Sequence, residues 1–381
     1  MNKKVCFVVT DAVSFNVLMR GSLEHLSSYS DFELTLICGG KEGDIDALEA
    51  RNVGRVIRVP MVRKPRFFLD VRCLFKLAIF FKRNKFDLVV YSTPKAMLLC
   101  SLASFFFQPK RLALFRGRAY ERYSGLKYFV YSKLDKLLFK LSSHCCSISM
   151  ELKRNLCKDL MIPTDHISVV GKGSSNGVDV GKFCPPSEEL KWQLRRQYGL
   201  NPEQFVVLVA GRLCRDKGIE DVSMLIERFG FKNFKFLVVG LVDDEFGTEF
   251  LKRYRTNESV IILEHTDNIS ELFKLSDVHL FLSRREGFGN VAIEAAASGV
   301  PTVAYDISGL RDSVSNGLSG YLIEPFSVDL VERKLRELYE QVLSGQSPLP
   351  VNTIRNWAVS NYDSTVVWEN YRKYYEEIAR E

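Results

Sequence analysis

At 381 residues, with 46% hydrophobic and 26% charged residues, the chain is long enough for two globular domains and excludes a disordered or fibrous protein. Its nine cysteines, at 6, 38, 73, 100, 145, 146, 157, 184 and 214, form no C-x-x-C pair and no Cys/His cluster of zinc spacing, which argues against a disulfide scaffold and for reduced thiols in a cytosolic protein. The net charge of +7 hides an asymmetry: residues 1–180 hold 29 Lys and Arg against 16 Asp and Glu, residues 181–381 hold 24 against 30, and residues 55–140 hold 20 against 4.

The opening Met1–Asp11 has the charged start of a signal peptide, but its apolar run is only Val5–Val9 and no small-residue cleavage site follows, so a first β-strand is expected. Short β-branched runs then alternate with helical patterns. Lys4–Val9, Glu33–Cys38, Val56–Val59, Leu88–Tyr91, Arg111–Phe115, His144–Ile148 and Ile167–Val170 read as strands, mostly buried on both faces, with helices such as Leu69–Asn84 and Tyr128–Leu141 between them. The most apolar later stretch, Met97–Phe107, is far shorter than the roughly 20 residues a spanning helix needs. Cys184-Pro185-Pro186 breaks the pattern and marks a linker, followed by a charged helix over Glu188–Tyr198. A second series begins at Phe205–Ala210 and continues through Phe236–Val239, Val260–Leu263, Val278–Leu282, Thr302–Ala304 and Gly320–Ile323. A Tyr/Trp-rich helix over Ser364–Ile378 closes the chain, its Trp368, Tyr371 and Tyr375 expected in the core. Such alternation predicts an α/β protein of two Rossmann-like domains with parallel sheets, ligands binding at the carboxyl ends of the strands.

Two segments carry the chemistry. Gly211-Arg212-Leu213-Cys214-Arg215-Asp216-Lys217-Gly218 follows the first strand of the second domain, where a glycine admits a phosphate to the backbone and Arg212 and Lys217 can clamp a diphosphate. The stretch from Ser283 to Pro301 follows another strand and opens a helix, with Gly287 and Gly289 freeing backbone N–H groups at its start. Glu286 and Glu294 lie eight residues apart, about two helical turns, and so share a face. Glu294, among small apolar residues, needs either a basic partner or a ligand's hydroxyls. Gly171-Lys172-Gly173-Ser174-Ser175-Asn176-Gly177 looks like a dinucleotide loop but precedes no helix, and reads as a glycine turn at the domain junction.

These residues resemble the retaining glycosyltransferases of family 4, which have the GT-B fold. The likeness rests on the Gly-Arg-Leu-x-x-x-Lys-Gly element at 211–218, the Glu-x7-Glu element at 286–294, Asn-Gly-Val-Asp at 176–179 and the helix running to Pro301. It implies two Rossmann-like domains facing across a cleft: residues 1–183 for acceptor and membrane, residues 184–363 for the donor, and a C-terminal helix, 364–381, that packs back on the first. It also implies that Arg212 and Lys217 hold the donor diphosphate, that Glu294 takes the ribose hydroxyls, and that Glu286 meets the transferred sugar. Gly211, Gly287, Phe288, Gly289 and Asn290 would contribute to sugar and phosphate binding, and His265 and Thr266 would border the base. Transfer would proceed with retention and without a metal or resident cofactor, Asp243-Asp244 being only a loop pair.

The first domain departs from the family. In place of a Gly-Gly loop it has Thr10 to Gly21, and in place of a His-Gly pair it has Arg116-Gly117, so Arg116 would take the position facing the sugar. The Gly171–Asp179 stretch is similar to the branch that builds bacterial O-antigens, capsules and lipid-linked oligosaccharides. That branch implies a UDP-hexose or UDP-N-acetylhexosamine as donor and an undecaprenyl-diphosphate-linked saccharide as acceptor, met at the cytoplasmic face of the membrane. The interleaved basic and aromatic residues Arg63, Lys64, Arg66, Phe67, Phe68, Lys82 and Arg83 fit an anionic membrane surface, against the plainer reading of a solvated basic face. A UDP-sugar 2-epimerase would leave this stretch unused; a non-catalytic membrane binder would leave 211–218 and 286–294 idle. No nucleic-acid motif is present.

Overall fold

In the computed structural model, which describes residues 2–118, 124–229, 233–264, 266, 268–347 and 349–381, the β-branched runs form parallel strands in two separate sheets. The chain divides into Met1–Gly177 with Ser364–Glu381, and Val178–Asp363. Among the described residues the first unit has seven strands: β1 (Lys3–Asp11), β2 (Phe32–Gly39), β3 (Arg55–Arg58), β4 (Leu88–Ser92), β5 (Arg111–Phe115), β6 (His144–Ser147) and β7 (Ser168–Val169), ordered β3-β2-β1-β4-β5-β6-β7. Leu88–Ser92 is buried throughout, as a strand covered on both faces must be. The edges depart from that expectation. Arg55 and Arg58 leave β3 exposed at both ends, and β7 shrinks to two residues because each edge strand has a single neighbour.

The strand order reverses at β1, so right-handed crossovers put the helices Phe67–Arg83, Pro94–Ser104 and Gly125–Leu141 on one face of this sheet. The first of these packs on the second, and the second on the third. The C-terminal helix, Ser364–Arg380, runs against the helix Ser22–Ser27. Tyr371, Tyr375 and Ile378 are buried at the spacing of one helical face, and the Tyr375 ring meets Phe7 of β1 at 5.5 Å. Lys3 Nζ donates to Glu376 at 2.8 Å, so the last helix is tied to the first strand.

The glycine turn after β7 serves that helix rather than a nucleotide. Trp368 Nε1 donates to Asn176 Oδ1 at 2.9 Å, and Tyr371 Oη to the Ser174 carbonyl at 3.1 Å. The junction falls at 177/178, six residues before the break expected at 183. The reason is local: Val178 N donates to the Tyr362 carbonyl, and Arg355 donates to the carbonyls of Val180 and Phe183, binding 178–183 to the second unit.

The second unit has, among the described residues, β8 (Phe205–Ala210), β9 (Phe234–Val239), β10 (Val260–Leu263), β11 (Val278–Phe281), β12 (Thr302–Tyr305) and β13 (Gly320–Ile323), ordered β10-β9-β8-β11-β12-β13 and parallel. Its core centres on Phe205, Phe229, Phe234 and Phe236, with Phe229 and Phe234 stacked at 4.3 Å. Here the order reverses at β8, beside β11. Ligands of open parallel sheets bind outside the carboxyl ends of the strands at such a reversal. The loops that leave β8 and β11 there are 211–218 and 282–289.

Candidate active site

In the second unit the two loops are joined by charge. Arg284 Nη2 lies 3.0 Å from Asp221 Oδ1 and 3.3 Å from Glu220 Oε2, while Tyr305 Oη donates to Asp221 Oδ2 at 3.0 Å. Arg285 Nη2 reaches Asp216 Oδ2 at 3.1 Å, and the Arg284 N–H donates to the Asp216 carbonyl at 2.9 Å. This framework holds Lys217 against Glu286: the Lys217 ammonium donates to Glu286 Oε1, which also accepts from Ser283 Oγ at 2.8 Å. Lys217 sits 5.6 Å over the Phe281 ring. Arg212, in the same loop as Lys217, pairs with Asp243 from the loop after β9. Sequence reasoning set Asp243 aside, since nothing in its spacing shows that the neighbouring loop brings it to Arg212.

The helix Asn290–Ala297 starts from Gly289, whose φ of +81° is a left-handed conformation. A Cβ there would stand 2.6 Å from Leu310 Cδ2, so only glycine lets the loop pack this closely. Phe288 is buried, its ring 5.3 Å from Tyr362, so its side chain belongs to the core and only its backbone borders the loop. Gly287 and Asn290 are half-buried in the same turn.

Glu294 behaves differently from Glu286. Among the described residues no cation comes within ion-pair distance of its carboxylate, and burial pushes its pKa up to about 7, with Lys182 opposing more weakly. The fold thus leaves a desolvated acid without a structural partner, at the second turn of a helix that starts from a glycine loop. Thr266, just past β10, has its Oγ1 accepting from the Asn268 N–H at 3.0 Å; His265 lies outside the described residues. A cavity of about 440 Å³ is lined by Ile262 of β10 and by Val242, Leu251, Lys252, Arg255 and Glu264 among others; among the described residues, none of the predicted site residues lines it.

The remaining site candidates belong to the first unit. Arg116 follows β5, and its guanidinium sits in a buried environment next to Tyr371, Tyr375 and Cys146, with Nε and Nη1 buried and, among the described residues, without a hydrogen-bond partner. Burial pulls its pKa down. On the helix Phe67–Arg83, Cys73, Leu77 and Phe81 face inward, whereas Phe67, Phe68, Phe75 and Ile79 are exposed beside Arg72, Lys76, Lys82 and Arg83. Phe68 is 87% exposed, far from the burial its size favours. Arg63, Lys64 and Arg66 are exposed in the segment leading into that helix. Phe105 and Phe106 are exposed just past the end of the helix Pro94–Ser104, and Leu126, Phe129 and Val130 are exposed on the helix Gly125–Leu141. Phe105, Phe106 and the third helix's residues escaped sequence reasoning, which saw one basic stretch and not three adjacent helices.

No helix among the described residues is long and apolar enough to cross a membrane. The described residues also contain no group of three or more His, Cys, Asp and Glu arranged to hold a metal ion.

Two parallel-sheet units, with a basic glycine loop and a second glycine loop joined at the strand reversal of one of them, define a glycosyltransferase of the GT-B class. Residues 191–352 match the model for glycosyl transferases group 1, and residues 23–182 that for glycosyltransferase family 4. The capsular polysaccharide biosynthesis glycosyltransferase CapM of Staphylococcus aureus is 30% identical over 100% of this chain and 98% of its own. The chain belongs to the family 4 glycosyltransferases and resembles those named for capsule and lipid-linked polysaccharide assembly. The Escherichia coli UDP-Gal:α-D-GlcNAc-diphosphoundecaprenol α-1,3-galactosyltransferase is 27% identical over 85% of each chain. Among solved structures, Anabaena Alr3699/HepE in complex with UDP and glucose superposes with a TM-score of 0.81 at 17% identity, covering 99% of this chain and 100% of that one. A Rickettsia africae glycosyltransferase superposes at 0.79 and 18%, covering 99% and 98%. At these identities the superpositions establish the shared fold.

Proposed function

We propose that the protein transfers a hexose or N-acetylhexosamine from a UDP-sugar to an undecaprenyl-diphosphate-linked saccharide, with retention and without a metal, at the cytoplasmic face of the membrane. The observation that carries the donor reading is Glu294: a carboxylate raised to about 7 by burial, with no ion-pair partner among the described residues, is stabilised by a ligand that donates hydroxyl hydrogen bonds, as a ribose does. Arg212 and Lys217 supply positive charge for a diphosphate and for the negative charge that develops on it as the sugar leaves. Glu286, held by Ser283 and Lys217, is the acid this reading assigns to the sugar. The chemistry named for the E. coli relative and the ligands named for the Anabaena structure support the choice of UDP-sugar and lipid-linked acceptor.

In the first unit, the exposed phenylalanines set among Lys and Arg fit the headgroup boundary of an anionic bilayer, where such an acceptor is presented. Arg116 is the basic group there available to acceptor or sugar. The test is a transfer assay with labelled UDP-glucose, UDP-galactose and UDP-N-acetylhexosamines against diphosphoundecaprenyl-linked monosaccharides in anionic vesicles, with and without chelator. Chelator-insensitive product of unchanged anomeric configuration is expected. Donor consumption without any acceptor product would favour an epimerase.

A further inference from the structure

The adjacent acids Asp243 and Asp244 have different work. Asp244 caps the helix Glu245–Tyr254, its Oδ1 accepting from the Gly247 N–H at 3.0 Å, and its Oδ2 accepts from the Arg215 N–H at 2.8 Å. Asp243 does neither; its carboxylate is the ion-pair partner of Arg212. That pairing follows from the way two loops are zipped beyond the ends of β8 and β9. Gly211 N donates to the Val239 carbonyl at 3.0 Å, Leu213 N to that of Leu241 at 2.9 Å, and Asp243 N to that of Leu213 at 3.1 Å. Gly240 makes the approach possible: its φ is +154°, and a Cβ there would fall 1.7 Å from the Gly211 carbonyl oxygen. The backbone therefore brings Asp243 and Arg212 together without either loop having to move.

The pair is built to exchange. The Arg212 and Asp243 side chains are 55% and 49% exposed, whereas Lys217 and Glu286 are 22% and 13% exposed and Ser283 buttresses the acid. Exposed ion pairs contribute little net stability, so the first is easily given up. A diphosphate carries more charge than one carboxylate and offers a guanidinium bidentate oxygens, so it wins the competition at a modest cost.

We propose that Asp243 is an internal counterion that occupies Arg212 while the donor site is empty, yields it to the donor's diphosphate, and reclaims it as the nucleoside diphosphate product departs. This rests on the reading of 211–218 as the diphosphate site. Asp243 thereby acts through Arg212 as a positioning residue that sets donor affinity and favours product release; it is not a metal ligand or a catalytic acid.

The experiment is a calorimetric titration of the full-length protein with UDP, comparing wild type, Asp243→Asn, Asp243→Ser, Arg212→Ala and Arg212→Ala/Asp243→Asn at low and high salt. Both Asp243 variants should bind UDP about three- to tenfold more tightly than wild type, and the gain should shrink as salt screens the charges. The gain should be smaller in the Arg212→Ala background, because the competing pair no longer exists. In turnover, the donor KM should fall by a larger factor than kcat changes. Unchanged or weaker UDP binding in both Asp243 variants would overturn the inference, since Asp243 would then hold Arg212 in place for the ligand. Failure of the wild type to bind UDP would overturn the donor-site reading itself, and the inference with it.

Discussion

The two units use charge in opposite ways. In the second, the cations of the two glycine loops meet carboxylates: Lys217 meets Glu286, Arg212 meets Asp243, and Arg284 meets Asp221. In the first, exposed Arg72, Lys76, Lys82 and Arg83 stand beside exposed aromatics, and the Arg116 guanidinium has two buried nitrogens without a hydrogen-bond partner among the described residues. The cations of the second unit's site are paired until a ligand exchanges their partners. The first keeps positive charge and apolar surface unspent. A polar site for a soluble nucleotide needs the former; a surface for a lipid-borne anion needs the latter.

That contrast breaks first at Lys217. Lys217→Ala should lower kcat by about 10²- to 10³-fold, the usual loss when one group stabilising developing charge is removed, with the far-UV circular dichroism unchanged. A loss of fold with no loss of activity per folded molecule would make the loop structural. Next comes Trp368, which anchors the C-terminal helix through Asn176 and stands 5.9 Å from the His25 ring. Trp368→Ala should destabilise the first unit by about 3 kcal/mol, read from denaturant unfolding monitored within that unit.

Glu294 gives a pH signature. Its folded pKa of about 7 lies above the unfolded carboxyl value, so its contribution to stability is fully present below about pH 4.5 and is lost as pH rises towards 7. Glu294→Gln should therefore be more stable than wild type by roughly 1–2 kcal/mol at pH 8, a figure reduced for partial exposure, with the difference vanishing near pH 4. The same variant should bind UDP more weakly. Equal melting temperatures across that range would show that the acid is not desolvated. The smallest effect belongs to the surface: Phe68→Ser and Phe75→Ser should each weaken binding to anionic vesicles by about 1–2 kcal/mol while leaving stability within about 0.5 kcal/mol. Vesicle binding indifferent to both changes would remove the membrane from the account of these helices.

How much of this was legible in the sequence divides along the same line. Phe205–Ala210 and Arg111–Phe115 form at the predicted bounds, because strands inside a parallel sheet read as continuous apolar runs flanked by turn residues. The glycine loops were legible for a similar reason: glycine, charge and spacing are local, and a loop after a buried strand has few places to go. What depends on separate segments meeting was not legible. The Arg212–Asp243 pair requires two loops to zip together, and the exposed apolar residues of the first unit come from three successive helices and their ends, which a strand separates each time. The junction moved to 177/178 because Arg355, some 175 residues away in sequence, gathers the carbonyls of Val180 and Phe183.

The central claim is that the second unit binds a nucleoside diphosphate sugar through 211–218 and Glu294. Thermal unfolding of wild type and Glu294→Ala with UDP, GDP and ADP, each with and without chelator, tests it most directly. A ligand in hundredfold excess over its Kd stabilises the native state by about 2.7 kcal/mol, enough for a clear shift. The account predicts a chelator-insensitive shift of the wild type with UDP that largely disappears in Glu294→Ala. No shift with any nucleotide, or an equal shift in the variant, would contradict it.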